Sequence, residues 1–186
     1  MQIDQTDLAD VLILTPRRFG DARGWFSETW NVARMAEAGL DLAFVQDNHS
    51  FSATKGTLRG LHYQSPPRAQ DKLVRCTRGA ILDVAVDIRT GSPTYAKWVA
   101  VELSSENGRQ LLVPKGFLHG FQTLTDEAEV QYKCTDLYAP DHDGAVRWDD
   151  PEIGIDWGIP APILSDKDAN APRLAQIGTP FRWSAA

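Results

Sequence analysis

A mainly β fold, whether sandwich, jelly roll or barrel, is what the 186-residue sequence predicts. Three observations point there. From Lys72 onward, apolar residues recur at every second position in several short runs, the period of a half-buried strand. Turn-forming groups separate the runs: Arg78-Gly79, Thr90-Gly91-Ser92-Pro93 and Glu106-Asn107-Gly108. Long helical patterns between strands, which a parallel α/β sheet needs, are absent.

Taken in order, Val11-Leu12-Ile13-Leu14 reads as a strand closed by Thr15-Pro16. Arg17 to Glu28 carries turn signals at Gly20-Asp21 and Gly24. It reads either as a ligand-facing loop or as a hairpin that places Trp25 and Phe26 in the core. Asn31 to Leu40 is the best helix candidate, with Val32, Met35 and Ala36 at helical spacing and Gly39 suited to the C-terminal cap. Phe44 to Ser52 looks extended. Leu82, Val84, Val86 and Ile88 alternate with Ile81, Asp83, Ala85 and Asp87. Val99, Val101 and Leu103 alternate with Trp98, Ala100 and Glu102, and Leu111-Leu112-Val113 is short and apolar. Val130, Tyr132 and Cys134 share one face opposite Gln131, Lys133 and Thr135. After Tyr138, Pro, Gly, Asp and Trp mark irregular wrapping segments, with a short helix expected near Asp168 and Ser165 as its N-cap. Phe181 and Trp183 are expected to dock on the barrel. No linker or repeat divides the chain, so residues 1–186 read as a single domain.

Hydrophobic content of 42% and charged content of 24% are ordinary for a globular protein. A net charge of −6 leaves no overall basic field for nucleic acid, so an anionic ligand would need a local Arg and Lys pocket. Two cysteines, Cys76 and Cys134, do not make a disulfide framework or a Cys-rich metal site. The acidic N-terminus does not read as a signal or transit peptide, and no window has the length of a membrane span. The expected compartment is the cytoplasm, with no membrane partner.

Chemistry concentrates in Gly56-Thr57-Leu58-Arg59-Gly60-Leu61-His62-Tyr63-Gln64, followed by Lys72. The stretch offers a base, cations, and glycines that let a ligand approach the backbone. By itself it fits a hydrogen-bonded core histidine and a surface arginine equally well. A second motif, Pro114-Lys115-Gly116-Phe117-Leu118-His119-Gly120-Phe121, resembles the second motif of cupins, the double-stranded β-helix family. In the first cupin motif His-x-His and a glutamate bind metal. Here Gly60 stands in the place of the first histidine, and no glutamate lies between His62 and Lys72. A catalytic metal wants about three protein ligands, so the expectation is a cupin that uses no metal. His49 and His142 are expected in polar loops.

Leu58 to Gln64, Lys72, Pro114 to Phe121, Tyr132, Arg147-Trp148-Asp149-Asp150-Pro151 and Leu164-Ser165-Asp166-Lys167-Asp168 occur in this order. Together they resemble the dTDP-4-dehydrorhamnose 3,5-epimerase family. The resemblance implies a jelly-roll barrel with few short helices, and metal-free inversion at the two carbons flanking a C4 ketone. It assigns His62 as base, Asp168 as its partner carboxylate, Lys72 as stabiliser of the enolate and Tyr132 as proton donor. It assigns Arg23, Arg59 and Lys167 to the pyrophosphate, Phe26 to the base, and Glu28, Gln46, Asn48 and His119 to other ligand contacts. Asp143 stands where the family commonly has glutamate. The family resemblance also implies a homodimer whose N-terminal segment reaches the neighbouring barrel, so that Arg23 and Glu28 serve the partner's site. A mono-epimerase and a non-catalytic sugar-nucleotide-binding cupin are the alternatives. Side chains alternate along a strand, so Arg59 and His62 can share a pocket only if Gly60 marks a bulge.

Overall fold

The computed structural model describes residues 1–184, so Ala185 and Ala186 lie outside it. Its chain path follows from one strand, β8 (Ala80–Asp87), whose two faces are both apolar. Ile81 and Ala85 enter one core and Val84 and Val86 another. A strand buried on both sides must lie between two layers.

Two antiparallel sheets form those layers. In the six-stranded sheet the order is β1 (Gln2–Gln5), β2 (Leu12–Thr15), β10 (Gln110–Val113), β7 (Lys72–Arg78), β12 (Ala128–Cys134), β5 (Gln46–Ser52). In the five-stranded sheet it is β13 (Asp143–Ala145), β6 (Leu58–Gln64), β11 (Phe117–Thr123), β8, β9 (Trp98–Ser104). Val74, Leu111, Val113 and Val130 from the first sheet meet Ile81, Val101, Leu103 and Phe121 from the second. This is the cupin-type double-stranded arrangement.

Each sheet also has a covered outer face. Val84, Val86, Leu118, Leu58 and Leu61 pack under the C-terminal segment through Val146, Ile153, Trp157, Leu174 and Phe181. Each such aliphatic side chain contributes roughly 1.5–3 kcal/mol when removed from water. Buried Asp150 fastens the wrap, accepting from the backbone N–H groups of Glu152 and Leu174 at 2.8 Å each. The Asp149-Asp150-Pro151 signal is therefore structural. Phe181 docks as expected, whereas Trp183 stays exposed.

On the other side α1 (Val32–Glu37) lays Met35 against Leu14, Leu73 and Leu112. It is shorter than the expected Asn31–Leu40. Asn31 caps it by accepting from Arg34 N–H, and Leu40 N–H and Gly39 N–H close back on Met35 and Ala36 carbonyls, the Schellman stop. Val32 is exposed, so Met35 is the helix's one buried residue. A two-stranded hairpin, β3 (Arg18–Asp21) and β4 (Gly24–Ser27), stands apart from both sheets. The hairpin was anticipated, but its core aromatics were not realised. Phe19, Trp25 and Phe26 are all exposed on a hairpin that pairs with neither sheet. His49 sits on β5, not in a loop, paired with Glu129 at 3.1 Å. Among the described residues no helix is long and apolar enough to cross a membrane.

The bulge expected at Gly60 is present. His62 faces His119 and Arg59 faces Phe121, so three steps along β6 match two along β11. Gly60 has φ +125°, and a Cβ there would lie 2.6 Å from Gly120 Cα. Gly60→Ala should therefore cost about 3 kcal/mol or more, with loss of activity. Urea denaturation measures this, and a midpoint unchanged from wild type would contradict the close approach.

Candidate active site

The bulge turns His62 toward α2 (Asp166–Ala169). His62 Nε2 donates to Asp168 Oδ1 at 2.6 Å, leaving Nδ1 as the open lone pair of the imidazole. Asp168 is nearly fully buried. Burial pushes its carboxyl upward, but donors from His62, Ser165 and the backbone N–H of Gly60 outweigh that and hold it below the ordinary value of 3.8. Ser165 is the N-cap of α2, as expected from sequence.

A second histidine–carboxylate pair lies beside the first. His119 Nε2 donates to Asp83 Oδ1 at 2.8 Å, with both side chains almost wholly buried. Asp83 was not singled out from sequence. The available signal was a carboxylate at an inward position of β8, where every other inward neighbour except Asp87 is apolar. Asp87 serves differently, binding Arg89, Ser92 and Thr94.

Across from these pairs the six-stranded sheet contributes Lys72 from β7, Tyr132 from β12 and Gln46 and Asn48 from β5. Cross-strand register sets Cys134 opposite both Lys72 and Gln46, and Tyr132 opposite Asn48. Burial lowers the Lys72 ammonium pKa, opposed in part by the nearby carboxylates Asp143 and Asp83. Burial raises the Tyr132 phenol, so it is protonated at neutral pH. A cavity of about 440 Å³ is lined by Arg59, His62, Lys72, His119, Tyr132 and Asp168. A second, of about 340 Å³, shares His62, Lys72, Tyr132 and Lys167 with it and extends to Gln46, Asn48 and Asp143. Arg59 is steadied by Ser52 Oγ at 3.2 Å and the Phe51 carbonyl at 3.1 Å. Asp143 pairs with Lys167.

Tyr138 is a further residue that sequence reasoning missed. Its ring is exposed where it lines the second cavity, and its hydroxyl donates to Asp143 at 3.3 Å. Gln64 and Gln46 hold its loop: Gln64 donates to the Leu137 carbonyl and accepts from Ala139 N–H, and Gln46 accepts from Tyr138 N–H. An aromatic after a strand end carries no periodic signal.

Three expected ligand residues do not line these cavities. Arg23, on the hairpin, pairs with Asp21, and Phe26 is 72% exposed. Glu28 binds Arg34 at 2.8 Å and Asn31 at 3.1 Å. Among the described residues no group of three His, Cys, Asp or Glu side chains is gathered to hold a metal ion.

The family model for dTDP-4-dehydrorhamnose 3,5-epimerase matches residues 5–176. The dTDP-4-dehydrorhamnose 3,5-epimerase of Shigella flexneri is 53% identical over 175 residues, 94% of this chain and 96% of the relative. The dTDP-6-deoxy-D-glucose-3,5-epimerase of Legionella pneumophila, solved with dTDP-4-keto-L-rhamnose, superposes with a TM-score of 0.94 at 46% identity, covering 99% of both chains. A 3'-monoepimerase from Streptomyces bikiniensis, solved with dTDP-quinovose, gives 0.86 at 37% identity, over 92% of this chain and 87% of that one. The inward histidine–aspartate pair, the facing lysine and tyrosine, and a match running almost end to end agree: this chain belongs to the dTDP-4-dehydrorhamnose 3,5-epimerase family.

Proposed function

We propose that this isomerase inverts C3 and C5 of dTDP-4-dehydro-6-deoxy-D-glucose, giving dTDP-4-dehydro-L-rhamnose, a step in dTDP-L-rhamnose biosynthesis. The observation that carries the reading is the placement of His62 on one sheet and of Lys72 and Tyr132 on the other, around one cavity. Inversion next to a ketone needs a base on one face of the sugar and an acid on the other. His62 takes the proton, the C–H electron pair moves into an enolate, and the charge develops on the C4 oxygen. Asp168 stabilises the imidazolium that results, and the Lys72 ammonium stabilises the enolate oxygen. Tyr132 returns a proton to the opposite face. Each inversion is a proton out and a proton in, with no net redox change, so the chemistry calls for no cofactor.

Arg59 and Lys167 suit the pyrophosphate. Gln46 and Asn48 offer amides to the ligand, and Tyr138 offers an exposed ring on which a base can stack. His119, held by Asp83, presents a fixed imidazole to the sugar. Asp143 is one methylene shorter than the family's usual glutamate, and its pairing with Lys167 turns it toward the anion-binding end. The proposal includes a single epimerase domain and a homodimer in the cytoplasm. Arg23 and Phe26, on an exposed aromatic hairpin, and Glu28 just after it lie outside their own cavity, which supports their serving the neighbouring subunit.

Product NMR in deuterated water tests the chemistry. Wild type should incorporate deuterium at C3 and C5, whereas exchange at one carbon only would make it a mono-epimerase. His62→Ala should lower exchange at both carbons by about 10²–10⁴-fold while retaining dTDP binding. Tyr132→Phe should keep exchange but impair inversion. Retained exchange in the first variant, or normal product in the second, would remove these roles.

Asp168 also has a signature in stability. Its folded value lies below 3.8. The stabilisation is therefore present above the unfolded value and lost as the pH falls through the folded one. Between about pH 5 and 3, the urea midpoint of wild type should drop more steeply than that of Asp168→Asn. Equal slopes would contradict the assignment.

Mixed subunits test the assembly. His62→Ala and Arg23→Ala chains, each nearly inactive, should recover roughly a quarter of wild-type activity when randomly paired. One intact site then forms in each mixed dimer. No recovery would place Arg23 outside the partner's site.

A further inference from the structure

We infer that Ser165 is a positioning residue of the His62–Asp168 pair, a third member that acts through the carboxylate and not only as the cap of α2. The inference rests on the proposed base role of His62. The geometry is specific. Ser165 Oγ donates to Asp168 Oδ2 at 2.9 Å and accepts from Asp168 N–H at 3.1 Å. Asp168 Oδ1 is taken by His62 at 2.6 Å. The two carboxylate oxygens are thus held from two directions, and the carboxylate plane cannot swing without breaking one of the bonds. Ser165 itself lines the 440 Å³ cavity. An N-cap bond alone asks only for a side-chain oxygen aimed at a backbone N–H. The second bond, to the carboxylate that the histidine uses, is extra. A donor on Oδ2 draws charge from Oδ1, so the serine sets how strongly the pair holds its proton.

The two roles separate by substitution. Glycine is nearly as good an N-cap as serine but lacks the hydroxyl, while threonine keeps it. Ser165→Gly should lower kcat about tenfold with KM nearly unchanged. It should also move the acidic limb of the kcat/KM profile upward by about half a pH unit, because a carboxylate that has lost a donor makes the pair hold its proton more tightly. Ser165→Thr should restore both. The other titratable and charged groups on the cavity stay in place in every variant: Arg59 on β6, Lys72 on β7, His119 on β11, Tyr132 on β12 and Lys167 on α2, with Asp83 and Asp143 beyond them. A readout free of turnover is the downfield imidazole N–H proton of His62 in the ligand-free protein. It should shift in Ser165→Gly and return in Ser165→Thr.

A Ser165→Gly protein with wild-type kcat, pH limb and imidazole resonance would overturn the inference. So would equal losses in the Gly and Thr variants, which would mark a packing effect. If wild type itself exchanges no deuterium at C3 or C5, the epimerase reading fails, and the imidazole resonance still decides whether Ser165 holds the pair.

Discussion

The closest approach in the molecule that matters is backbone on backbone, Gly60 against Gly120. No side chain fits between them. That contact permits the bulge in β6, and the bulge turns Arg59 and His62 to the same side of a strand that would otherwise separate them. It also aims the Gly60 N–H at Asp168. One local irregularity thus supplies the imidazole's orientation, a donor to its carboxylate and an arginine at the cavity rim. Strand bulges are commonly found where a side chain must be re-aimed.

Around this point the barrel holds an unusual density of buried polar groups. Asp83, Asp168 and His119 are buried and Lys72 is half-buried. Each would be costly alone, since an unpaired buried charge is destabilising by several kcal/mol. Asp168 has donors on both oxygens, whereas Asp83 is held by His119 through one oxygen and leaves the other without a partner. The C-terminal segment is more than a cover. It carries Ser165 and Asp168 into the cavity wall and is pinned by Asp150 and by a parallel bridge between Thr57 and Ile163. The residues that the site uses and the residues that bury the outer sheet belong to the same stretch of chain.

Much of this was legible in the amino-acid sequence. Alternation located β8, β9 and β12 because a sheet enforces a period of two whatever surrounds it. Pro-x-Gly-x-x-His marked β11, and Ser165 ahead of Asp168 marked α2, since caps and turns are local chemistry. The need for a bulge followed from Arg59 and His62 having to share a pocket. What was not legible depends on three dimensions. Asp83 looked like one more polar position on an alternating strand until the fold set it against His119. Tyr138 belongs to a loop whose placement comes from Gln64 and Gln46, far away in the chain. Trp25 and Phe26 have the composition of core residues, yet the hairpin carrying them pairs with neither sheet and leaves both exposed. Burial is a property of the neighbour, and the neighbour is not written beside the residue.

The two-sheet architecture also bears on why this fold suits inversion next to a ketone. An enolate is planar, and a single group that removes and returns a proton from one side gives back the starting configuration. The cavity between the sheets offers two walls of different chemistry. One wall has an imidazole backed by a carboxylate, which favours accepting a proton. The other has a phenol that burial keeps protonated and a lysine suited to meet developing oxygen charge. The side chains packed between the two sheets hold the walls at a fixed separation. On the proposed mechanism the stereochemical demand, opposite faces at each carbon, is met by the spacing of two sheets, and Arg59 and Lys167 need only hold the nucleotide end in register with it.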